Sequence, residues 1–372
     1  MHDIMKTFDL KLQTDLLILD FSKAFDAVSH KKLLHKLNSY GINGTTHKWI
    51  GQFLTARKHQ VVIDGERLIS CSVHSGVPQG TVLGLLLFLC YINDLPSCVI
   101  SQVRLFADDC LLYRSIKSIN DQIHNNKIYS HSKSGQLQWG MRFNATKCYL
   151  MTINISKNPL TFDYTLDSHN LEKVTENPYL GITISDNLKW NTNINKISNK
   201  ASSMLCFIRR NLRHCTSSLK QTAYVSLIRS VMYYSSVVWD PYLRKDIDKL
   251  ENIQRRAVRF VKIITAGIAA QQPCFRTLKW QPLADRRRDQ RLILLYKIIN
   301  GLVEIPADQH IQPNPRPSRN RHTKTLLIHT CNTDIYKHLF IPRSTIDWNS
   351  LPETTITNKT VDIFKAALLK RD

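Results

Sequence analysis

Apolar residues follow two different rhythms along this chain, and the change comes near residue 190. Asp15-Leu-Leu-Ile-Leu-Asp20 is a short apolar run ending in an acid. It predicts a buried strand that delivers Asp20 at its end. Residues 30–40 put Leu33, Leu34 and Leu37 on one helical face, and Gly41 stops that helix. Residues 45–57, with Trp49, Ile50 and Phe53, predict a second helix. Residues 60–63 and 67–73 predict strands joined through Asp64-Gly65, a tight-hairpin dipeptide. Ser75-Gly-Val-Pro-Gln-Gly80 predicts a loop, which opens into an apolar helix over 81–93. Two further apolar runs, 103–105 and 110–113, flank Phe106-Ala107-Asp108-Asp109. They predict a hairpin with adjacent carboxylates at its tip. A weakly periodic helix over 119–140 and strands at 149–155 and 179–184 complete this part. The order of elements implies an α+β unit with an antiparallel sheet.

From Trp190 onward the rhythm is helical throughout. Residues 194–212 and 219–238 carry apolar positions at helix spacing. In 246–264, Ile247, Leu250, Ile253, Ala257 and Val261 share one side. Arg255, Arg259 and Lys262 line another, with Arg256 beside them. Arg286-Arg-Arg288 and Arg291 repeat such a basic face on the next helix, which runs through 292–299. Several basic faces in one helical region predict a surface that follows phosphates. Residues 306–321 hold four prolines and read as a linker, and 335–369 as a small closing unit. The expected organisation is 1–189, 190–305, a linker over 306–334, and 335–372.

Charge sharpens the picture. Lys+Arg is 51 and Asp+Glu 29 in 372 residues, a net +22. Residues 1–190 hold 20 basic and 16 acidic residues; 191–372 hold 31 and 13, a net +18. A near-neutral part joined to a strongly basic one predicts a polyanion held mainly by the second. Anionic membrane is the competing partner, but the basic residues interleave with core-like apolar periodicity. The longest apolar run, 81–92, falls short of the ~20 residues a span needs, so no membrane partner is expected. The nine cysteines form no Cys-x-x-Cys pair, which excludes zinc and a disulfide framework. No secretory signal opens the chain. An intracellular setting, nucleus or cytoplasm, is expected.

Asp20, Asp108 and Asp109 carry the candidate chemistry. If their strands are neighbours, three acids converge. Mg²⁺ takes few protein carboxylates and keeps positions for water and substrate phosphates. Two such ions would clamp an in-line phosphoryl transfer. Glycoside hydrolysis, the other use of paired acids, needs them on opposite sides of a sugar, which adjacent residues fit badly.

Four motifs occur in order: Leu19-Asp-Phe-Ser-Lys-Ala-Phe-Asp26, Ser75-Gly-Val-Pro-Gln-Gly-Thr-Val-Leu-Gly84, Tyr91-Ile-Asn-Asp-Leu-Pro96 and Phe106-Ala-Asp-Asp109. Together with Trp139-Gly-Met-Arg-Phe-Asn144, Lys147-Cys148, Tyr179-Leu-Gly-Ile182, Val238-Trp-Asp-Pro-Tyr242, Gln254-Arg-Arg-Ala257 and Trp348-Asn-Ser-Leu-Pro352, they resemble the reverse transcriptase of a non-LTR, LINE-type retrotransposon of the jockey-like group. The resemblance implies a right-hand polymerase: an antiparallel palm followed by an all-helical thumb. It implies an RNA-directed DNA polymerase joining a deoxynucleoside triphosphate to a DNA primer 3′-hydroxyl on an RNA template. Two Mg²⁺ ions, with Mn²⁺ as substitute, would sit on Asp20 and Asp108 with Asp109 beside them. Phe21, Phe25, Pro78, Gln79 and Gly80 would meet nucleotide and template, and Phe25 would exclude a 2′-hydroxyl. Lys147 would be the general acid for pyrophosphate. Tyr179, Leu180 and Gly181 would form the primer grip. Arg255, Arg256, Arg259 and Lys262 would grip the RNA–DNA hybrid.

Departures from the family pattern set a further expectation. Only 19 residues precede Asp20, so the fingers are expected to be largely missing, as in a copy truncated at its N-terminus. Leu85 stands where the family usually has proline. The alternative reading is an inactive remnant that only binds nucleic acid.

Overall fold

The structure, a computed structural model, describes residues 1–369 except 56, 127–139, 157, 263–277, 279, 306–309 and 316–321. Most of the helix expected over 119–140 and of the linker expected over 306–321 therefore lies outside the described residues, as do the last residues of the helix expected over 246–264. Residues 119–126 are helical. The chain forms two compact units: Lys11–Glu176, and Met1–Leu10 with Asn177–Asp372.

Helix α1 (His2–Asp9) belongs to the second unit, and β1 (Gln13–Asp20) opens the first. Helices α2 (His30–Ser39), α3 (Gly44–Leu54) and α4 (Val82–Ile92) follow, then β2 (Gln102–Phe106), β3 (Asp109–Ile116), β4 (Tyr149–Ile153) and β5 (Glu172–Lys173). The sheet order is β5-β4-β1-β3-β2, antiparallel except where β5 joins β4. β1 is the middle strand, which is why it reads as an almost unbroken apolar run. Side chains alternate between the faces of a strand. Leu17 and Leu19 pack with Leu33, Leu37, Ile50, Leu54, Phe88 and Tyr91, so α2, α3 and α4 cover their face. Asp20 belongs to the opposite face.

Local chemistry fixes the helix starts. Ser29 accepts from Lys32 N and Thr81 from Gly84 N, each satisfying a first-turn amide. In the hairpin Val62–Ile63 with Glu66–Arg67, Asp64 and Gly65 both hold positive φ, 52° and 88°. That is the turn the sequence predicts. Its flanking strands are shorter than expected, two residues each at Lys58–His59, Val62–Ile63, Glu66–Arg67 and Cys71–Ser72.

Asp15 lies on the helix-covered face and is fully buried. Its carboxylate accepts from Gln13 Nε2 (2.9 Å), Gln122 Nε2 (3.0 Å) and Tyr164 OH (2.8 Å). Three donors compensate its burial.

In the second unit, the strand expected over 179–184 is a hairpin, Glu176–Tyr179 with Ile182–Ser185, turning at Leu180 and Gly181. Helices α5 (Asn191–Asn211), α6 (Arg244–Lys262), α7 (Leu283–Ile299), α8 (Phe340–Asn349) and α9 (Val361–Leu369) form its frame. The helix expected over 219–238 is broken. An α-helical turn at Ser217–Ala223 passes into a π-helical stretch, Tyr224–Arg229, and helix resumes at Ser236–Trp239. Ser226 and Ser230 hydroxyls donate back to the carbonyls of Thr222 and Ser226, which loosens the helical ladder. Residues 335–369 do not form a core of their own. Trp348, Phe364 and Leu368 share one with Leu292, Leu295 and Tyr296 of α7.

The basic face expected on α7 is half wrong. Arg287 and Arg291 are 0% and 2% exposed. Arg287 Nε donates to Asp240 Oδ1 at 2.6 Å, Arg291 pairs with Asp240 and with Asp347 (2.7 Å), and Arg343 meets Asp240 Oδ2 at 3.1 Å. Spaced four apart on one face, these arginines turn inward because Asp240, only 4% exposed, waits there. Burial draws all three guanidinium pKa values down, Arg291 to about 10. Breaking such a network strands buried charge. Asp240→Ala is expected to lower stability by about 3–5 kcal/mol in urea unfolding. An unchanged midpoint would mean that the arginines find other partners.

Candidate active site

The first unit carries the acids. Asp20, the last residue of β1, lies directly opposite Asp109, the first residue of β3. Paired residues on neighbouring strands share a face, so both carboxylates leave the sheet on the side away from α2, α3 and α4. Asp108 sits beside them in the two-residue turn Ala107–Asp108, where Ala107 holds φ at 51°. The adjacent acids are thus not both at the tip: one is in the turn and the other begins the strand. Like charges directly opposite repel. The Asp109 carboxyl accordingly titrates above its ordinary range, through burial first and then through Asp108 and Asp20.

The segment after residue 140 closes on the end of β1. Ser22 N donates to Arg142 O and Asn144 N to Asp20 O, both at 2.8 Å. Phe21 stacks on Phe143 with ring centroids 4.4 Å apart. The short helix Ala145–Lys147 then brings Lys147 Nζ to 3.8 Å from Asp20 Oδ2. Both ends of that pair are open to solvent, so its energy is small. Cys110 and Cys148 lie buried behind the acids, and burial pushes their thiols up to about 12 and about 11.

A second loop is strapped to the first. Gly76 N donates to Val28 O (2.7 Å), Val77 N to Phe25 O (2.9 Å) and Ser75 Oγ to Asp26 O (2.8 Å). The Gly76 carbonyl receives Arg57 Nη2 at 2.6 Å and lies 2.8 Å from His30 Nε2. A Cβ on Gly76 would stand 2.8 Å from Asp26 Cα, which explains the glycine. On α4, a Cβ at Gly84 would stand 2.0 Å from the Pro78 carbonyl. Pro78 is half-buried, and Gln79 and Gly80 are exposed. Phe25 is half-buried with its ring on Phe88, centroids 4.5 Å apart. So Phe25 and the loop of Pro78, Gln79 and Gly80 are held together. His30 and Arg57, which hold the loop, carry no signal in the sequence, since a lone histidine and a lone arginine fit any surface.

Among the described residues, no three His, Cys, Asp or Glu side chains form a ready metal cluster. Tyr179, Leu180 and Gly181 belong to the second unit, where Tyr234 OH donates to the Leu180 carbonyl at 3.0 Å. Of the basic run on α6, Arg259 is exposed, Arg255 lies 3.9 Å from Asp248, and Arg256 reaches toward α5.

Two outcomes follow from this geometry. Asp109 ionises less readily folded than unfolded, so its charge burdens the fold above its raised pKa, and the burden lifts as pH falls through that value. Asp109→Asn should therefore raise the melting temperature at neutral pH, with the gain vanishing in acid. Equal gains at both would refute the ionised Asp109 carboxyl as the cause. Gly84→Ala should lower stability by about 1–3 kcal/mol in urea unfolding, because the Pro78 carbonyl must move.

Comparison with known proteins agrees with the motifs. The reverse transcriptase (RNA-dependent DNA polymerase) family model matches residues 2–184. The probable RNA-directed DNA polymerase from transposon BS of Drosophila melanogaster is 24% identical over 286 residues, 69% of this chain and 30% of that protein. The RNA-directed DNA polymerase from mobile element jockey of the same species is 24% identical over 253 residues, 65% of this chain and 27% of that protein. The chain thus spans less than a third of the length of these relatives. A structure of Candida tropicalis telomerase with a fragment of telomeric RNA covers 75% of this chain and 52% of its own, at 10% identity and a TM-score of 0.39. On the family match and these relatives, residues 2–184 carry a reverse transcriptase domain, and the chain is similar to the RNA-directed DNA polymerases of LINE-type, non-LTR retrotransposons.

Proposed function

We propose that this chain supplies the palm and thumb of an RNA-directed DNA polymerase, the first unit being the palm and the helices from residue 190 the thumb. The observation that carries the reading is the opposition of Asp20 and Asp109 across β1 and β3, with Asp108 in the adjoining turn. The reaction is attack of a primer 3′-hydroxyl on a deoxynucleoside triphosphate, with pyrophosphate leaving.

The donor set suits magnesium. Three carboxylates meet at one strand end, and the Asp109 carboxyl is raised by burial first and then by Asp108 and Asp20, a cost of charge that a hard divalent cation relieves. The neighbouring thiols stay protonated and do not compete. Asp20 and Asp108 would hold the two ions, Mg²⁺ or Mn²⁺, with Asp109 beside them. Bound there, the metal supplies positive charge to the triphosphate and to the attacking oxygen.

The chain's own residues would do the rest. Lys147, whose Nζ lies 3.8 Å from Asp20 Oδ2, would give a proton to the departing pyrophosphate. The Phe25 ring, fixed on Phe88, would deny room to a 2′-hydroxyl. Phe21, Pro78, Gln79 and Gly80 would meet nucleotide and template. Tyr179, Leu180 and Gly181 would hold the primer end, and Arg255, Arg256, Arg259 and Lys262 the hybrid. RNA template, DNA primer and dNTP are the proposed partners. Among the described residues, no helix is long and apolar enough to cross a membrane.

Primer extension on an RNA template with Mg²⁺ tests this reading. The double variant Asp108→Asn, Asp109→Asn should lose roughly a thousandfold in rate, the order of several kcal/mol of metal assistance. Absence of synthesis by the parent, with hybrid binding that weakens as salt rises, would overturn the polymerase reading. It would leave a protein that only binds nucleic acid.

A further inference from the structure

A single peptide group ties the loop of Pro78, Gln79 and Gly80 to Phe25. The Gly76 carbonyl and the Val77 N–H belong to one peptide plane, so whatever fixes the carbonyl also fixes where the N–H points. The carbonyl takes two donors, Arg57 Nη2 at 2.6 Å and His30 Nε2 at 2.8 Å. The N–H on the other side of the plane donates to Phe25 O at 2.9 Å. Beyond it the loop is pinned again: Thr81 Oγ1 donates to Pro78 O at 2.9 Å, and only a glycine at 84 leaves room for that carbonyl. Gln79 and Gly80, between Pro78 and Thr81, are exposed.

The two donors come from different elements. His30 is the first residue of α2 and 9% exposed. A carbonyl only accepts, so the Nε2 that meets it carries a proton. Arg57 follows α3, whose last residue is Leu54; its Nε donates to Leu54 O at 3.0 Å, and its own carbonyl accepts from Val73 N at 2.9 Å. Its guanidinium thus joins the end of α3 to the loop. Both lone pairs of the Gly76 carbonyl are filled, one of them by a charged donor, which is the stronger kind. A peptide held in this way resists turning, and the Val77 N–H keeps its aim at Phe25.

We propose that His30 and Arg57 are positioning residues for nucleotide selection: by holding the Gly76–Val77 peptide they set the gap between Phe25 and the Pro78–Gln79–Gly80 loop, and with it the exclusion of a 2′-hydroxyl. The inference rests on the polymerase reading, with Phe25 against the sugar, and deepens it. Neither side chain touches the nucleotide. Loss of a donor frees the peptide to turn, unties Val77 from Phe25 and lets the gap widen toward a ribonucleotide.

The test is primer extension by the full chain on an RNA template with Mg²⁺, with kcat and KM measured separately for a dNTP and for the matching rNTP. The preference is a ratio of two kcat/KM values on one sample, so a loss of folded protein cancels from it. A misplacement of about 1 Å can cost about a hundredfold, and His30→Ala or Arg57→Ala, each leaving one donor, should lower the preference for dNTP roughly tenfold. His30→Gln, whose amide N–H reaches the same carbonyl, should restore most of it; His30→Asn, one methylene shorter, should not. His47 Nε2 makes the same kind of contact elsewhere, 2.9 Å from Leu34 O between α3 and α2. His47→Ala is therefore the control and should leave the preference unchanged. An unchanged preference in His30→Ala and Arg57→Ala, an equal change in His47→Ala, or equal values for His30→Gln and His30→Asn would overturn the inference. Phe25→Val separates it from the reading beneath. If Phe25→Val relaxes the preference and the His30 and Arg57 variants do not, this inference falls alone. If the parent extends primers and Phe25→Val changes nothing, the role of Phe25 falls with it. A parent that extends no primer would overturn the polymerase reading and this inference together.

Discussion

The pairing of β1 with β3 is the constraint on which the candidate site depends. With side chains alternating at period two, a shift of one residue would send Asp20 into the helix-covered core and Leu19 into water. Leu17 and Leu19 on one face and Asp20 on the other therefore fix the register, and with it the opposition of Asp20 and Asp109. Asp15 adds a second lock. Its three donors come from Gln13, Gln122 and Tyr164, which surround the far end of the same strand. Any slip would leave this carboxylate buried without them. The repulsion among the site's acids is thus carried by a strand that packing has already fixed.

The second unit solves a different problem, that of burying arginines. Asp240 sits among Arg287, Arg291 and Arg343, and Asp347 takes a second contact from Arg291. Both acids lie in or next to motifs that carry the family resemblance, Val238-Trp-Asp-Pro-Tyr242 and Trp348-Asn-Ser-Leu-Pro352. In the latter, Asn349 exchanges two hydrogen bonds with the Leu326 backbone at 2.8 Å, and Trp348 Nε1 donates to Lys324 O. These residues hold α7 and α8 and the chain before them in place.

Much of the sheet unit was legible in the sequence because its signals are local. The apolar run of β1, the caps at Ser29 and Thr81, and the turn at Asp64-Gly65 each report their own geometry. Family motifs likewise led to the assignment of the chain. What escaped needed a partner distant in sequence. Arg287 and Arg291 read as a solvated face because nothing near them announces Asp240. His30 and Arg57, far apart in sequence, meet at the Gly76 carbonyl, and Asp15 reads as a strand boundary until Tyr164 and Gln122 close on it. The broken helix after Ser217 escaped for another reason: serines that bond backwards weaken a helix without changing its apolar rhythm.

The wide separation of these partners bears on how the chain emerges from the ribosome. β1 finds β3 roughly ninety residues later and β4 later still. Helix α1 waits longer, since its Asp9 caps Asn332 and Thr333 more than three hundred residues on. During synthesis, then, Leu16-Leu-Ile-Leu19 stays exposed as an unpaired apolar edge while everything it will pair with is still being made. Non-local strand pairing of this kind is slow and leaves time for association with other nascent chains. For this protein, the strand that carries the candidate site is also an apolar segment that stays unpaired, and open to wrong partners, for much of synthesis.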